Sequence, residues 1–430
     1  MADDPVLIIG AGLAGLACAH HLHAAGVHIR ILEAGDGVGG RVRSDIVDGF
    51  VLDRGFQVLL TAYPEARRML DYNALSLQSF YPGALVQLGS NRHLVADPVR
   101  RTMDALRGAT APIGSLLDKA RVGLLRLTAV KKNLDDLWAA PETTTIERLQ
   151  RLRFSPKIIE RFFRPLFGGI FLEDDLATSS RMFDFVFRML ADGDNAFPAG
   201  GMQAIPDQLA AALPPGTIQL GARVGAIDGT RVTLLDHEVI GGRAIVVATE
   251  GPQAAKLLGG AIDAPASVPV SCLYYAASKP PIHDKAIVLN GRGVVDGPVN
   301  NLCVPTNVSG QYATGNATGG HLVSATVLGN RPRAFDPVTR AAHDTELDAQ
   351  VRTQMRGWFG AEVDGWQYLR SYHIHHAQPA QRPPALTPHE RSVTVRPGVF
   401  VAGDHRDQAS INGALTSGRR AAEAVLASLS

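Results

Sequence analysis

Residues 6–35 read VLIIGAGLAGLACAHHLHAAGVHIRILEAG, and segments of different periodicity follow one another in it without a break. Residues 6–9 are a short, wholly apolar run of the kind that forms a strand buried on both faces. Gly10, Gly12 and Gly15 follow in the spacing G-x-G-x-x-G, and residues 13–25 carry helical spacing that Gly26 ends. Residues 28–33, HIRILE, give a second strand that finishes on Glu33. Strand, glycine turn, helix and strand in this order form the βαβ unit that binds a dinucleotide, and each residue has a physical task. Gly10 permits the tight turn, Gly12 lets the backbone approach a pyrophosphate, and Gly15 lets helix and strand pack closely. The helix N-terminus offers unpaired N–H groups and the positive end of its dipole to that pyrophosphate. Glu33 lies 18 residues after Gly15, placed to accept hydrogen bonds from a ribose, and its charge disfavours a 2′-phosphate. The motif does not by itself say which dinucleotide is bound.

The next residues narrow the choice. Residues 33–59, EAGDGVGGRVRSDIVDGFVLDRGFQVL, place Gly39-Gly40-Arg41 and then Asp53-Arg54-Gly55-Phe56 after the acid. Two adjacent glycines and an arginine suit a second phosphate-facing turn, with Arg41 neutralising charge. The order GxGxxG, acid, GGR and D-x-G resembles the flavin-containing amine oxidase superfamily, which includes amine oxidases, protoporphyrinogen oxidases and phytoene and carotene desaturases. The resemblance implies an α/β protein: a Rossmann-like FAD-binding domain joined to a mixed-sheet substrate domain with a helical insertion. It implies FAD as cofactor, with Gly55 and Phe56 beside the isoalloxazine.

Size and composition read as a globular chain. The chain has 430 residues, 46% hydrophobic and 19% charged, which is ample for two or three domain-sized units. A net charge of +1 gives no general attraction to nucleic acid. Cys18, Cys272 and Cys303 show no metal or redox spacing, and no metal site is expected. The acidic MADDP start and the glycines at 10, 12 and 15 do not fit a signal peptide, and no run reaches the length of a membrane span, so a cytoplasmic protein is expected.

The middle of the chain is less explicit. Residues 97–138 are basic and helix-rich, with Leu116, Leu117, Leu124, Leu125 and Leu127 interleaved among arginines and lysines. An ordinary solvated helix face over a core accounts for this pattern, and peripheral membrane contact is the sharper reading. Residues 161–190 contain Phe162, Phe163, Phe167, Phe171, Phe183, Phe185 and Phe187. Core packing explains most of them, and an apolar ligand lining is the alternative. Residues 218–250 give a strand, a hairpin around Asp228-Gly229 and a buried strand at 244–248. By the resemblance, Val224 offers backbone hydrogen bonds to the adenine. Amine oxidases of the superfamily carry a lysine in a strand resembling residues 268–278, VPVSCLYYAAS, and Ser271 stands in its place. Residues 371–383, SYHIHHAQPAQRP, alternate so that Tyr372, Ile374 and His376 share one face and His373 and His375 the other. The family places this segment near the flavin, which makes His375 and His376 candidate proton carriers.

The resemblance also covers the C-terminus. Gly403-Asp404 after a strand implies contact of Asp404 with the ribitol or pyrophosphate. Asn412-Gly413-Ala414 opens the last helix toward the flavin pyrimidine, where a helix dipole stabilises the charge of the reduced ring. No cysteine lies nearby, and non-covalent FAD is expected although His405 is adjacent. The FAD-binding domain is expected from 1–75, 196–265 and 393–430, and the substrate domain from 76–195 and 266–392. The expected reaction is hydride removal from a C–H bond of a small apolar substrate, isoprenoid- or tetrapyrrole-like, with O₂ or a quinone as electron acceptor. Alternatives are a flavin-dependent polyene isomerase, an amine oxidase, and a non-enzymatic escort of prenylated proteins.

Overall fold

The computed structural model describes residues 4–263, 265–315, 320–329 and 337–429. Its first unit is a six-stranded sheet in the order Ile218–Gln219, Ile29–Leu32, Val6–Ile9, Ala244–Val247, Val399–Val401, Thr394–Arg396. All neighbours are parallel except the last pair. The central strands read VLII, AIVV and VFV because both faces of the sheet are covered. Val6, Ile8, Ile31, Val246 and Phe400 face the core that holds Leu16 and Leu415 of two helices, Leu13–Ala24 and Ile411–Leu429. Leu7, Ile9, Ile245, Val247 and Val401 face a three-stranded antiparallel sheet made of Val224–Asp228, Arg231–Leu234 and Val239–Gly241.

The two helices lie against each other nearly at backbone contact. A Cβ on Gly418 would sit 2.3 Å from the Ala14 carbonyl oxygen. The small residues of the last helix therefore serve packing, and they bind the end of the chain to the first βαβ unit.

The second unit is a seven-stranded mixed sheet in the order Gln367–Pro379, Ser267–Ala277, His321–Leu328, Val299–Cys303, Ile287–Asn290, Gly83–Leu88, Asn91–Ala96. Only Ile287–Asn290 and Gly83–Leu88 pair in parallel. The long strand Ser267–Ala277 alternates. Cys272, Tyr274 and Ala276 turn toward the main core. Leu273, Tyr275 and Ala277 turn toward the helix Pro337–Phe359, which contributes Leu347, Val351, Met355 and Trp358.

Helices occupy most of residues 102–192. A π-turn at Ile159–Phe163 precedes Pro165, which has no N–H for a regular helical bond to residue 161. The phenylalanines of this region pack on one another: Phe167 and Phe183 lie 4.6 Å apart, and Phe154 and Phe163 4.7 Å apart. Phe163, Phe167, Phe183 and Phe185 are buried completely or nearly so. They form the core of the helical layer, as the plainer reading of the sequence holds.

Candidate cofactor and substrate site

A cavity of about 630 Å³ runs from the first βαβ unit to the mixed sheet. At one end its wall is the glycine turn. Gly12 is extended, at φ −74° and ψ 177°, and a Cβ built on it would meet no protein atom within 4 Å. That space is a cradle left for a ligand at the N-terminus of the helix Leu13–Ala24. Gly15 differs. Its Cβ would fall 2.0 Å from the Gly10 carbonyl oxygen, so this glycine serves packing and does not line the cavity.

The carboxylate of Glu33 accepts hydrogen bonds from the Ala11 and Gly35 backbone N–H groups, each at 2.7 Å. It is thus fixed at the cavity wall with lone pairs to spare for a ribose. The GGR turn docks on the glycine loop through a Gly39 N–H to Ala11 carbonyl bond of 2.8 Å. The Arg41 guanidinium donates to the Ala377 carbonyl and to Asp404 Oδ1, both at 2.8 Å. Burial opposes the charge on Arg41, and the Asp404 carboxylate more than offsets it, so its pKa stays above the ordinary value. The pair links residue 41 to residue 404 and brings the two ends of the chain to one wall.

Gly10, Gly12, Glu33, Gly40, Arg41, Gly55, Phe56, Val224, Gly403, Asp404 and Ala414 all reach the cavity. Asn412 and Gly413 do not. The Asn412 side chain accepts from the Glu65 backbone N–H at 2.9 Å and ties the last helix to the helix Pro64–Met69. A Cβ on Gly413 would lie 1.9 Å from the Gln408 carbonyl oxygen, so its task is a tight entry into the helix. The N-terminus of that helix still faces the cavity, through Ala409, Ser410 and Ile411. Ser410 caps it, accepting from the Gly413 N–H at 3.0 Å.

The histidines also fall elsewhere. Pairing runs Val270 to Ile374 but Val268 to Gln378, so the strand Gln367–Pro379 carries a bulge over residues 375–377. The bulge breaks simple alternation. Ile374, Ala377 and Gln378 reach the cavity, whereas His375 and His376 are absent from its wall. His376 borders a separate small cleft behind Arg41 and Asp404, together with His405. Neither histidine is placed to act on a substrate in the cavity.

Ser271 follows the alternation of the strand Ser267–Ala277. It is fully buried, and its hydroxyl lies 2.6 Å from His373 Nδ1, whose Nε2 lies 2.5 Å from Asp344 Oδ1. Ser271 therefore points away from the cavity, and the residue of this strand that faces the cavity is Val270. No lysine lines the cavity. Burial lowers the His373 pKa, against the pull of Asp344, so this chain is a buried polar tie between the sheet and the helix Pro337–Phe359.

The far end of the cavity was not identified from the sequence. Its wall comes from Pro165, Leu166, Ile170, Met182, Val186 and Leu190, with Ile287 and Leu289 opposite. None of the seven phenylalanines at 162–187 is on it. The rings fill the core side of the same helices, and the aliphatic side chains between them face the cavity. The charged residues on the whole wall are Glu33, Arg41, Arg54, Arg223, Glu250 and Asp404. Arg54 is engaged by Asp45 through two hydrogen bonds of 3.1 and 2.9 Å. Between residues 165 and 195, and again between 270 and 301, the wall carries no ionisable side chain.

The chain is 28% identical over 166 residues to protoporphyrinogen oxidase 2 of Arabidopsis thaliana, covering 38% of this chain and 32% of that protein. It is 29% identical over 294 residues to phytoene dehydrogenase of Streptomyces griseus, covering 60% and 56%. With putrescine oxidase of Kocuria rosea it shares 30% over 150 residues, covering 34% and 30%. In each case the match spans less than two thirds of the relative's own length. Among solved structures, an oxidoreductase from Methanosarcina mazei superposes with a TM-score of 0.73 at 15% identity, covering 98% of this chain and all of that one. Cyclohexylamine oxidase from Brevibacterium oxydans gives 0.70 at 19%, covering 99% of each chain. These two likenesses establish the fold. The family model for flavin containing amine oxidoreductases matches residues 13–426. With a match of that extent, the chain belongs to the flavin containing amine oxidoreductase family.

Proposed function

We propose that this protein binds FAD without a covalent bond and oxidises an uncharged, largely apolar substrate at a C–H bond. The observation that carries the substrate class is the uncharged wall of residues 165–195 and 270–301. A cationic amine or a multiply carboxylated ring would lose its hydration there and gain no counter-charge, at a cost of several kcal/mol per ion. A polyene or other isoprenoid substrate incurs no such penalty.

The cradle at Gly12 and the N-terminus of the helix Leu13–Ala24 would hold the pyrophosphate, with Arg41 as its counter-charge. Glu33 would take the ribose and Val224 the adenine. The capped N-terminus at Ser410 and Ile411 would lie against the flavin ring, where its dipole favours added negative charge. When bound, the flavin supplies the two-electron acceptor, with O₂ or a quinone downstream. The protein's own part is then positional. Met182, Val186 and Leu190 come from one helix and Val270 and Ile374 from the sheet, and together they exclude water and hold a chain-like substrate. No side chain on the uncharged wall titrates near neutrality, which suits a hydride abstraction that needs no acid or base.

The test is anaerobic bleaching of the purified yellow protein by candidate substrates. Bleaching by a polyene, with no response to diamines, is expected. Bleaching by an amine or a porphyrinogen alone would overturn the substrate class. Polyene isomerisation that runs only with pre-reduced flavin would replace net oxidation with isomerisation.

A further inference from the structure

The helix Leu116–Ala129 is amphipathic in the inverted sense. Asp118 and Arg126 face inward beside Leu125 and Ala129. Asp118 is fully buried and accepts from the backbone N–H and hydroxyl of both Ser115 and Ser155. Arg126 is 9% exposed; it pairs with Asp97 through Nε at 2.8 Å and donates to the Ala191 carbonyl at 2.7 Å. Four of its five leucines face outward: Leu116 is 71% exposed, Leu117 58%, Leu124 62% and Leu127 51%, while Leu125 is buried. At 3.6 residues per turn these four and Ala120 fall within an arc of about 100°. The preceding helix, Thr102–Arg107, adds Met103 at 65% and Leu106 at 64%. Lys119 fixes the turn between the helices by donating to the Gly108, Ala109 and Ala111 carbonyls. Seven of the thirteen exposed large hydrophobic residues among those described lie between Val99 and Leu127. That is a patch, not the scatter expected of a solvated surface.

The charge around the patch selects its partner. Residues 97–138 hold eight basic and five acidic residues on a chain whose net charge is +1. Asp118 lies in the interior, Asp97 pairs with Arg100 and Arg126, and Asp104 accepts from the Tyr81 hydroxyl and lies 3.5 Å from Arg107. Arg101, Arg107, Lys131 and Lys132 remain exposed at the rim. A second copy of the same face would set like charges against each other, whereas an anionic lipid surface complements them. We propose that the helices at 102–107 and 116–129 dock on an anionic membrane surface, leucines in the acyl boundary and basic residues at the headgroups. Among the described residues no helix is long and apolar enough to cross a membrane, and the docking is peripheral. Arg126 joins this helix to the helix Ser180–Asp192, which carries Met182, Val186 and Leu190 on the cavity wall. The docked face is therefore one helix layer from the apolar end of the site.

The experiment is vesicle flotation of the full chain, with phosphatidylcholine alone and with phosphatidylcholine containing phosphatidylglycerol. The inference does not need the proposed substrate, because flotation is read without turnover. The wild-type protein should float with the anionic vesicles and far less with the neutral ones. The double variant L117E/L124E, shown to be folded by its flavin content, should lose about tenfold in partitioning. K131Q/K132Q should weaken anionic binding and its salt dependence only. Failure of the wild type to float with anionic vesicles overturns the proposal. So does unchanged flotation of L117E/L124E, or a solution dimer that this variant dissociates while flotation stays the same.

Discussion

The substitution Gly12→Ala separates ligand recognition from folding. At φ −74° and ψ 177° the backbone of Gly12 suits alanine, and the new Cβ meets no protein atom within 4 Å. Removing a glycine from the unfolded chain at such a position stabilises a fold by about 0.4–1 kcal/mol. The apo-protein should therefore melt at the wild-type temperature or slightly above it. The added methyl group projects into the cradle at the helix N-terminus, where the pyrophosphate must approach. Losing one charge-assisted hydrogen bond there costs about 1.5–3 kcal/mol, which is about 10- to 150-fold in Kd. The assay is FAD titration of apo-protein, with thermal melts of the same samples. Gly15→Ala is the contrast. Its Cβ would lie 2.0 Å from the Gly10 carbonyl oxygen, so the backbone must move, and the fold should lose about 3 kcal/mol or more. FAD affinity unchanged in Gly12→Ala would refute the placement of the pyrophosphate. An apo-protein unfolded by Gly12→Ala would refute the reading of that space as vacant of protein.

Three further outcomes are expected. Arg41→Gln leaves Asp404, 5% exposed, without its partner, and should cost about 3 kcal/mol in urea unfolding; Arg41→Gln with Asp404→Asn should cost less than Arg41→Gln alone, and simple additivity would argue against the pair. Burial lowers His405 to about 4, against the opposing Asp404 carboxylate, so below pH about 6.5 the unfolded chain takes up a proton that the folded chain refuses. That loses about 3 kcal/mol between pH about 6.5 and about 4. Burial raises Asp407 to about 7, which acts in the opposite sense over the same range; the test is the difference between the pH profiles of wild type and His405→Gln, and identical slopes would contradict it. Ser271→Ala should lose about 1–3 kcal/mol by leaving the buried His373 ring short of a partner, with FAD binding unchanged; loss of FAD without loss of stability would place Ser271 at the cavity after all.

Much of the cofactor end was legible because its chemistry is local. Gly10, Gly12, Glu33, Gly40 and Arg41 sit within one βαβ unit and its next turn, where spacing along the chain fixes spacing in space. The substrate end was not legible, for two reasons. Phe163 and Met182 belong to helices of similar composition, and only packing decides which flank meets the core and which the cavity. The bulge at residues 375–377 shifts a strand by more than one position, and nothing in SYHIHHAQP announces it, so the sequence offers His375 and His376 for the site and does not single out Ile374. The leucines at 116, 117, 124 and 127 leave two readings open in the sequence for a related reason. Helical periodicity locates a stripe but does not say which way it faces, and here buried partners for Asp118 and Arg126 turn it outward.

The C-terminal helix shows the same division. Gly418 meets Ala14 of the first helix and Asn412 meets residue 65, while Ala414 of the same helix reaches the cavity. The sequence by itself determined a dinucleotide-binding unit, because phosphate and ribose recognition depends on a few residues at short separation. The tertiary structure alone decided that residues 41 and 404 form one wall, that Val270 and not Ser271 faces the cavity, and that its far end is uncharged. Those facts depend on which side chains from distant segments converge, and only the packed backbone sets that.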